Sequence, residues 1–139
     1  MKKISSLIIL LLAFSFSLIA QQATLTIVNK SERELTTKVM QGTEKKSTLH
    51  KTLTLAAKSE GKIYFSTTGR YFTKSMAVKF STDTITQNDT IYTKGAPFEV
   101  IADSKRGYSN ITMKFTIKES KKPVAEGALP ITRKEYEEN

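Results

Sequence analysis

Three short runs hold the residues of this sequence best suited to chemistry. Arg70-Tyr71-Phe72-Thr73-Lys74 follows Gly69, Tyr92-Thr93-Lys94 precedes Gly95, and Lys105-Arg106-Gly107-Tyr108 surrounds a later glycine. Cationic side chains hold phosphate, sulfate and carboxylate groups, and aromatic faces stack on sugar rings. Arg70, Tyr71, Lys74, Tyr92, Lys94, Arg106 and Tyr108 are therefore the candidate binding residues, expected at turns and strand ends. The plainer reading of the same residues is structural: tyrosines at strand ends close a core while the hydroxyl stays wet, and lysines at strand margins guard sheet edges.

Catalysis has less to work with. His50 is the only histidine, which leaves no His pair for zinc and one imidazole for acid–base work. It shares the parity of Thr52 and Thr54, so its ring is expected to face outward, and no nucleophile elbow accompanies it. Asp83, Asp89, Glu99 and Asp103 lack calcium-loop spacing. With no cysteine there is no disulfide, thiolate nucleophile or cysteine-ligated metal. The expectation is a non-enzymatic protein without metal or cofactor; a glycoside hydrolase built from carboxylates on distant strands is the enzymatic rival.

The chain of 139 residues carries a formal charge of +9. Its first twenty residues read as a signal peptide: Lys2-Lys3, an apolar run from Leu7 through Phe16 and Ile19, and cleavage after Ala20. Leu18 departs from that plan, since a second small residue is usual there. An exported chain, periplasmic or extracellular, with no membrane span after cleavage, follows from this reading. Loss of the two lysines leaves +7, of which the segment from Glu119 onward contributes −1, so +8 resides on residues 21–118. A basic exported surface favours an anionic glycan, lipopolysaccharide or an envelope protein as partner. Nucleic acid is a poor candidate, because no oligonucleotide-binding pattern is present.

The elements that must position these residues show a period of two. Leu25 and Ile27, Leu35 and Val39, Leu53 and Leu55, and Ile63 and Phe65 each alternate with polar neighbours. Met76, Val78 and Phe80 do the same, followed by a short run at Ile91-Tyr92, by Phe98, Val100 and Ala102, and by Ile111, Met113, Phe115 and Ile117. All six glycines fall between or beside these runs, and nineteen threonines suit solvent-facing sheet positions. About eight short strands with no crossover helix predict an all-β fold, an antiparallel two-sheet sandwich of immunoglobulin-like or related Greek-key type over residues 21–118. A closed barrel is the competing architecture. The expected core is Leu25, Ile27, Leu35, Val39, Leu53, Leu55, Ile63, Phe65, Met76, Val78, Phe80, Ile91, Phe98, Val100, Ile111, Met113, Phe115 and Ile117.

Residues 119–139, with Pro123, Pro130 and a closing charged run, read as a polar C-terminal tail. Asp83-Thr84-Ile85 and Asp89-Thr90-Ile91 match a triplet used for periplasmic O-glycosylation, and Asn29, Asn88 and Asn110 begin N-x-Ser/Thr triplets. Both are hints of exposure. Two functions follow: an exported binding module using the basic and aromatic surface, or an accessory subunit that pairs with a partner chain through a sheet edge or the tail.

Overall fold

The computed structural model describes residues 21–80 and 90–138. The signal segment, Asp83-Thr84-Ile85, Asn88 and Asp89 lie outside the described residues. Elsewhere the chain is predominantly β: β1 (Ala23–Asn29), β2 (Glu34–Gly42), β3 (Ser47–Leu55), β4 (Glu60–Phe65), β5 (Gly69–Val78), β6 (Ile91–Lys94) and β7 (Phe98–Val100) come first. Then follow β8 (Ala102–Asp103), β9 (Gly107–Tyr108), β10 (Asn110–Phe115), β11 (Ile117–Lys118), β12 (Val124–Ala125), β13 (Leu129–Pro130) and a helix, α1 (Arg133–Glu137).

Two sheets carry most of these strands. The smaller runs β10-β1-β4, with β1 antiparallel to β4 and parallel to β10. The larger runs β13-β6-β5-β2-β3, and β7 continues the β6 side of β5 by pairing Gly69–Tyr71 with Phe98–Val100. β8 with β9 and β11 with β12 form separate two-stranded ladders. One apolar cluster takes Leu25, Ile27, Ile63 and Phe65 from the smaller sheet and Leu35, Val39, Leu55 and Tyr71 from the larger. Burying a side chain such as Phe65 contributes about 1.5–3 kcal/mol, and the alternation read from β1, β2 and β4 is what places each on the shared side.

Two strands depart from their expected facing. In β5 Tyr71, Thr73, Ser75 and Ala77 are buried on the core side, while Met76, Val78 and the buried Phe72 point the other way and Phe80 is exposed. Pairing explains it: Leu35 stands opposite Ala77, Thr37 opposite Ser75 and Val39 opposite Thr73. Directly paired residues share a face, so inward Leu35 and Val39 fix which β5 side chains go in. In β3, Val39 pairs with Lys51 and Met40 with Leu49, leaving His50 as the extra residue of a bulge. The bulge turns the His50 ring inward, stacked on Phe65 at 4.7 Å and edge-on to Tyr71 at 5.5 Å, with Nε2 3.1 Å from the Tyr64 carbonyl. The outward histidine expected from parity is thus corrected.

Below the bulge, Gly42 closes the β2–β3 hairpin at φ +114°, and a Cβ there would collide with the Lys46 carbonyl. At the opposite end of β2, the β1–β2 connection buries a polar cluster. Asn29 Nδ2 donates to the carbonyls of Arg33 (2.7 Å) and Ala56 (3.0 Å), and Asn29 Oδ1 accepts from Ser31. Asn29 is therefore no exposed acceptor, whereas Asn110 is exposed at the start of β10.

The stretch read as a tail packs on the body. Arg33, only 1% exposed, donates through Nε and Nη2 to the two carboxylate oxygens of Glu119 at 2.9 and 3.2 Å. β12 pairs with β11, β13 extends the larger sheet beside β6, and Tyr136 of α1 is buried. Thr132 caps α1 by accepting from the Glu135 amide.

Candidate functional site

Alternation along β5 and β6 decides which candidate residues meet. Arg70, Phe72, Lys74 and Met76 point away from the apolar cluster, and the pairing of Lys74 with Lys94 and of Met76 with Tyr92 puts β6 residues on that same outer face. Four candidates, Arg70, Lys74, Tyr92 and Lys94, thus share one side of the larger sheet. Lys94 ends β6, and Arg70 and Tyr92 stand one residue inside their strands, close to the strand ends expected, whereas Lys74 lies in the middle of β5.

The other three lie elsewhere. Tyr71 faces the core at 1% exposure and its hydroxyl donates to the Thr67 carbonyl at 3.0 Å, so it has no face to offer a ligand. Arg106 occupies the β8–β9 turn as expected for a loop residue, where Nε donates to Asp103 at 2.8 Å. The Arg106 amide and guanidinium together hold the Asp103 carboxyl below its ordinary range. Tyr108 is half-buried on β9 opposite Ala102.

The outer face contains a feature that the sequence conceals. Lys38, Lys74 and Lys94 stand in register on β2, β5 and β6. Like charges directly opposite one another destabilise a sheet, and here carbonyls and carboxylates offset the repulsion. Lys38 Nζ donates to the Tyr136 carbonyl at 3.0 Å and lies 4.6 Å over the Tyr136 ring. Lys74 Nζ donates to the carbonyls of Glu135 and Glu138, both at 2.7 Å, and Lys94 pairs with Glu44 at 3.0 Å. Partial burial, then the charges of Lys38 and Lys94, pull the Lys74 ammonium below the usual lysine range, against the opposing pull of Glu138 and Glu135. The C-terminal carbonyls of α1 also carry the negative end of the helix dipole. Tyr92 packs on Tyr136 at 5.4 Å, so its ring too is engaged by α1.

Beyond the lysine row the face opens. Arg70 is exposed and makes no ion pair among the described residues. It borders a groove of about 460 Å³ with Gly42, Thr43, Lys45, Phe72, Pro97 and Glu44, whose carboxylate is held by Lys94. A second cleft, of about 240 Å³, shares Arg70 and Pro97 and adds Phe98 and Glu99. Glu99 is the cross-strand neighbour of Arg70 on β7. Phe72 is 2% exposed, so it supports the groove floor and offers no stacking plane. The groove brings a planar guanidinium, an ammonium and the Glu44 carboxylate to one opening, without the aromatic platform expected at Tyr71 and Tyr92.

Among the described residues, no cluster of His, Asp or Glu could hold a metal ion, and no helix is long and apolar enough to cross a membrane. Comparison with family models, curated proteins and solved structures finds no match for this chain.

Proposed function

We propose that the protein is an exported, non-enzymatic binding module, a two-sheet sandwich of immunoglobulin-like or related Greek-key type. It engages an anionic or anion-bearing glycan partner at the cell envelope through the Arg70 end of its outer face. The observation that carries this reading is Arg70 itself: an exposed guanidinium, uncommitted among the described residues, beside Lys45 in a groove of about 460 Å³. Core residues drawn from both sheets support the sandwich.

The test is a titration of the protein with dextran sulfate and with lipopolysaccharide, neutral dextran serving as control, from low salt to about 0.3 M, where screening lengths fall below ~10 Å. Binding of the two anionic probes should weaken steadily with salt and fall in an Arg70→Ala, Lys45→Ala variant. An Arg106→Ala variant, altered in the separate β8–β9 hairpin, should bind as wild type. Binding that ignores salt, or that falls with Arg106 and not with Arg70, refutes the proposal.

One observation favours a second reading. Leu129 and Pro130 pair with Lys94 and Thr93, so the chain covers part of its own β6 edge with a two-residue strand. A strand from a partner chain could take that place, which is the accessory-subunit reading. A Leu129→Asp variant should then change the assembly measured by light scattering; an unchanged mass counts against pairing through this edge.

A further inference from the structure

The larger sheet has hydroxyls on its core side. Thr37, Thr73 and Ser75 are 3%, 6% and 6% exposed and belong to β2 and β5. They line one wall of a cavity of about 250 Å³ whose other lining includes Leu35, Ile27 of β1, and Met113 and Phe115 of β10. The connection between β12 and β13, Glu126 to Ala128, borders it, with Gly127 at φ +72°. Engineered apolar cavities of about 150 Å³ already admit benzene, so this space is large enough for a small molecule.

The hydroxyls are under-used. Thr37 Oγ1 and Ser75 Oγ lie 3.0 Å apart, so one hydroxyl proton serves the pair. The other has no acceptor among the described residues, since each hydroxyl carries one donor. Thr73 Oγ1 has no partner among the described residues and is open to the cavity, since none of their fully buried side-chain oxygens lacks a partner. Gly95 is what leaves it room, because a Cβ there would sit 2.5 Å from Thr73 Oγ1. A ligand that carries a polar oxygen would take the place of solvent at these hydroxyls.

We propose that this cavity is a binding site for a small, neutral, amphipathic molecule. Its apolar body packs against Ile27, Leu35, Met113 and Phe115, and an alcohol or carbonyl oxygen meets Thr73 and the Thr37–Ser75 pair. Charge decides against an ionised ligand: the charged lining residues, Lys114 and Glu126, are exposed and stand at the mouth, and an unpaired ion inside would be strongly disfavoured. A purely apolar occupant would leave the hydroxyls unmatched. This site lies on the opposite side of β5 from Arg70 and does not depend on the anion-binding reading.

The experiment is amide-resolved NMR titration of the protein with cyclohexanol, cyclohexanecarboxylate at neutral pH, and cyclohexane. Cyclohexanol should give saturable shifts at Thr73, Ser75, Met113 and Phe115. The carboxylate should bind at least about tenfold more weakly. Thr73→Val, which keeps side-chain shape, should weaken cyclohexanol by about tenfold, the size of one hydrogen bond, and leave cyclohexane unchanged. Ser75→Ala repeats the comparison should Thr73→Val lose the native spectrum. The proposal is overturned by the absence of saturable shifts with cyclohexanol, by a carboxylate that binds as tightly as the alcohol, or by cyclohexanol affinity that is unchanged in both variants.

Discussion

Replacing Glu119 by Gln should lower folding stability by about 2 kcal/mol at neutral pH. The pair joins a guanidinium on a side chain 1% exposed to a carboxylate on one 38% exposed. Two N–H groups of Arg33 meet the two carboxylate oxygens, at 2.9 and 3.2 Å. Charge-assisted hydrogen bonds contribute ~1.5–3 kcal/mol each, and breaking a fully buried ion pair costs about 3–5 kcal/mol. The wet side of Glu119 screens its charge, and the Gln amide keeps one acceptor, which brings the expected loss to about 2 kcal/mol. Acid provides an independent check. Hydrogen bonding from Arg33 holds the Glu119 carboxyl below its ordinary 4.5, so its contribution is fully present above that value and disappears as pH falls through the lower folded one. Urea unfolding of wild type and variant, at neutral and at acidic pH, reads both effects. The gap between them should close in acid. A neutral-pH loss under about 0.5 kcal/mol, typical of surface substitutions, or a gap unchanged by pH, would refute this account of how the C-terminal stretch is tied to the body.

Further outcomes follow from burial and geometry. Phe65→Ala should cost about 3–5 kcal/mol, because Phe65 is 1% exposed and packs on His50 and Tyr71. Phe115→Ala should cost less, since Phe115 is only partly buried beside the cavity; urea midpoints compare the two. Gly42→Ala should destabilise by more than about 1 kcal/mol, through its positive φ and the collision with the Lys46 carbonyl, read as a drop in thermal midpoint. Lys74→Met removes hydrogen bonds to the carbonyls of Glu135 in α1 and of Glu138 just beyond it, so amide exchange at Tyr136 and Glu138 should quicken while protection in β1 stays unchanged.

Period two made β1, β4 and β10 legible because their two faces differ sharply in polarity. The same logic failed on β5. There the inward side carries Thr73, Ser75 and Ala77 and the outward side carries Met76 and Val78, so local hydrophobicity points the wrong way. Registration against β2 sets the facing, and that is non-local information. One bulge residue reversed His50. The C-terminal stretch was illegible for another reason: its ladders are two residues long, and Tyr136 lies among charges that give no periodic signal. Arg33, in the charged run Ser31-Glu32-Arg33-Glu34, looks like a solvated residue until Glu119 closes on it. Of the binding candidates, Arg70, Lys74, Tyr92 and Lys94 proved to share a face, yet only strand pairing reveals that Lys38 joins their row. The uncommitted Arg70 emerges once α1 is seen to occupy Lys38 and Lys74.

The most direct test of the anion-binding account is to map where a sulfated disaccharide touches the protein, by amide chemical shifts at low salt. Shifts should centre on Thr43, Lys45, Arg70 and Phe72 and vanish in the Arg70→Ala, Lys45→Ala variant. Shifts centred instead on Lys105 to Tyr108, or unchanged in that variant, would contradict it.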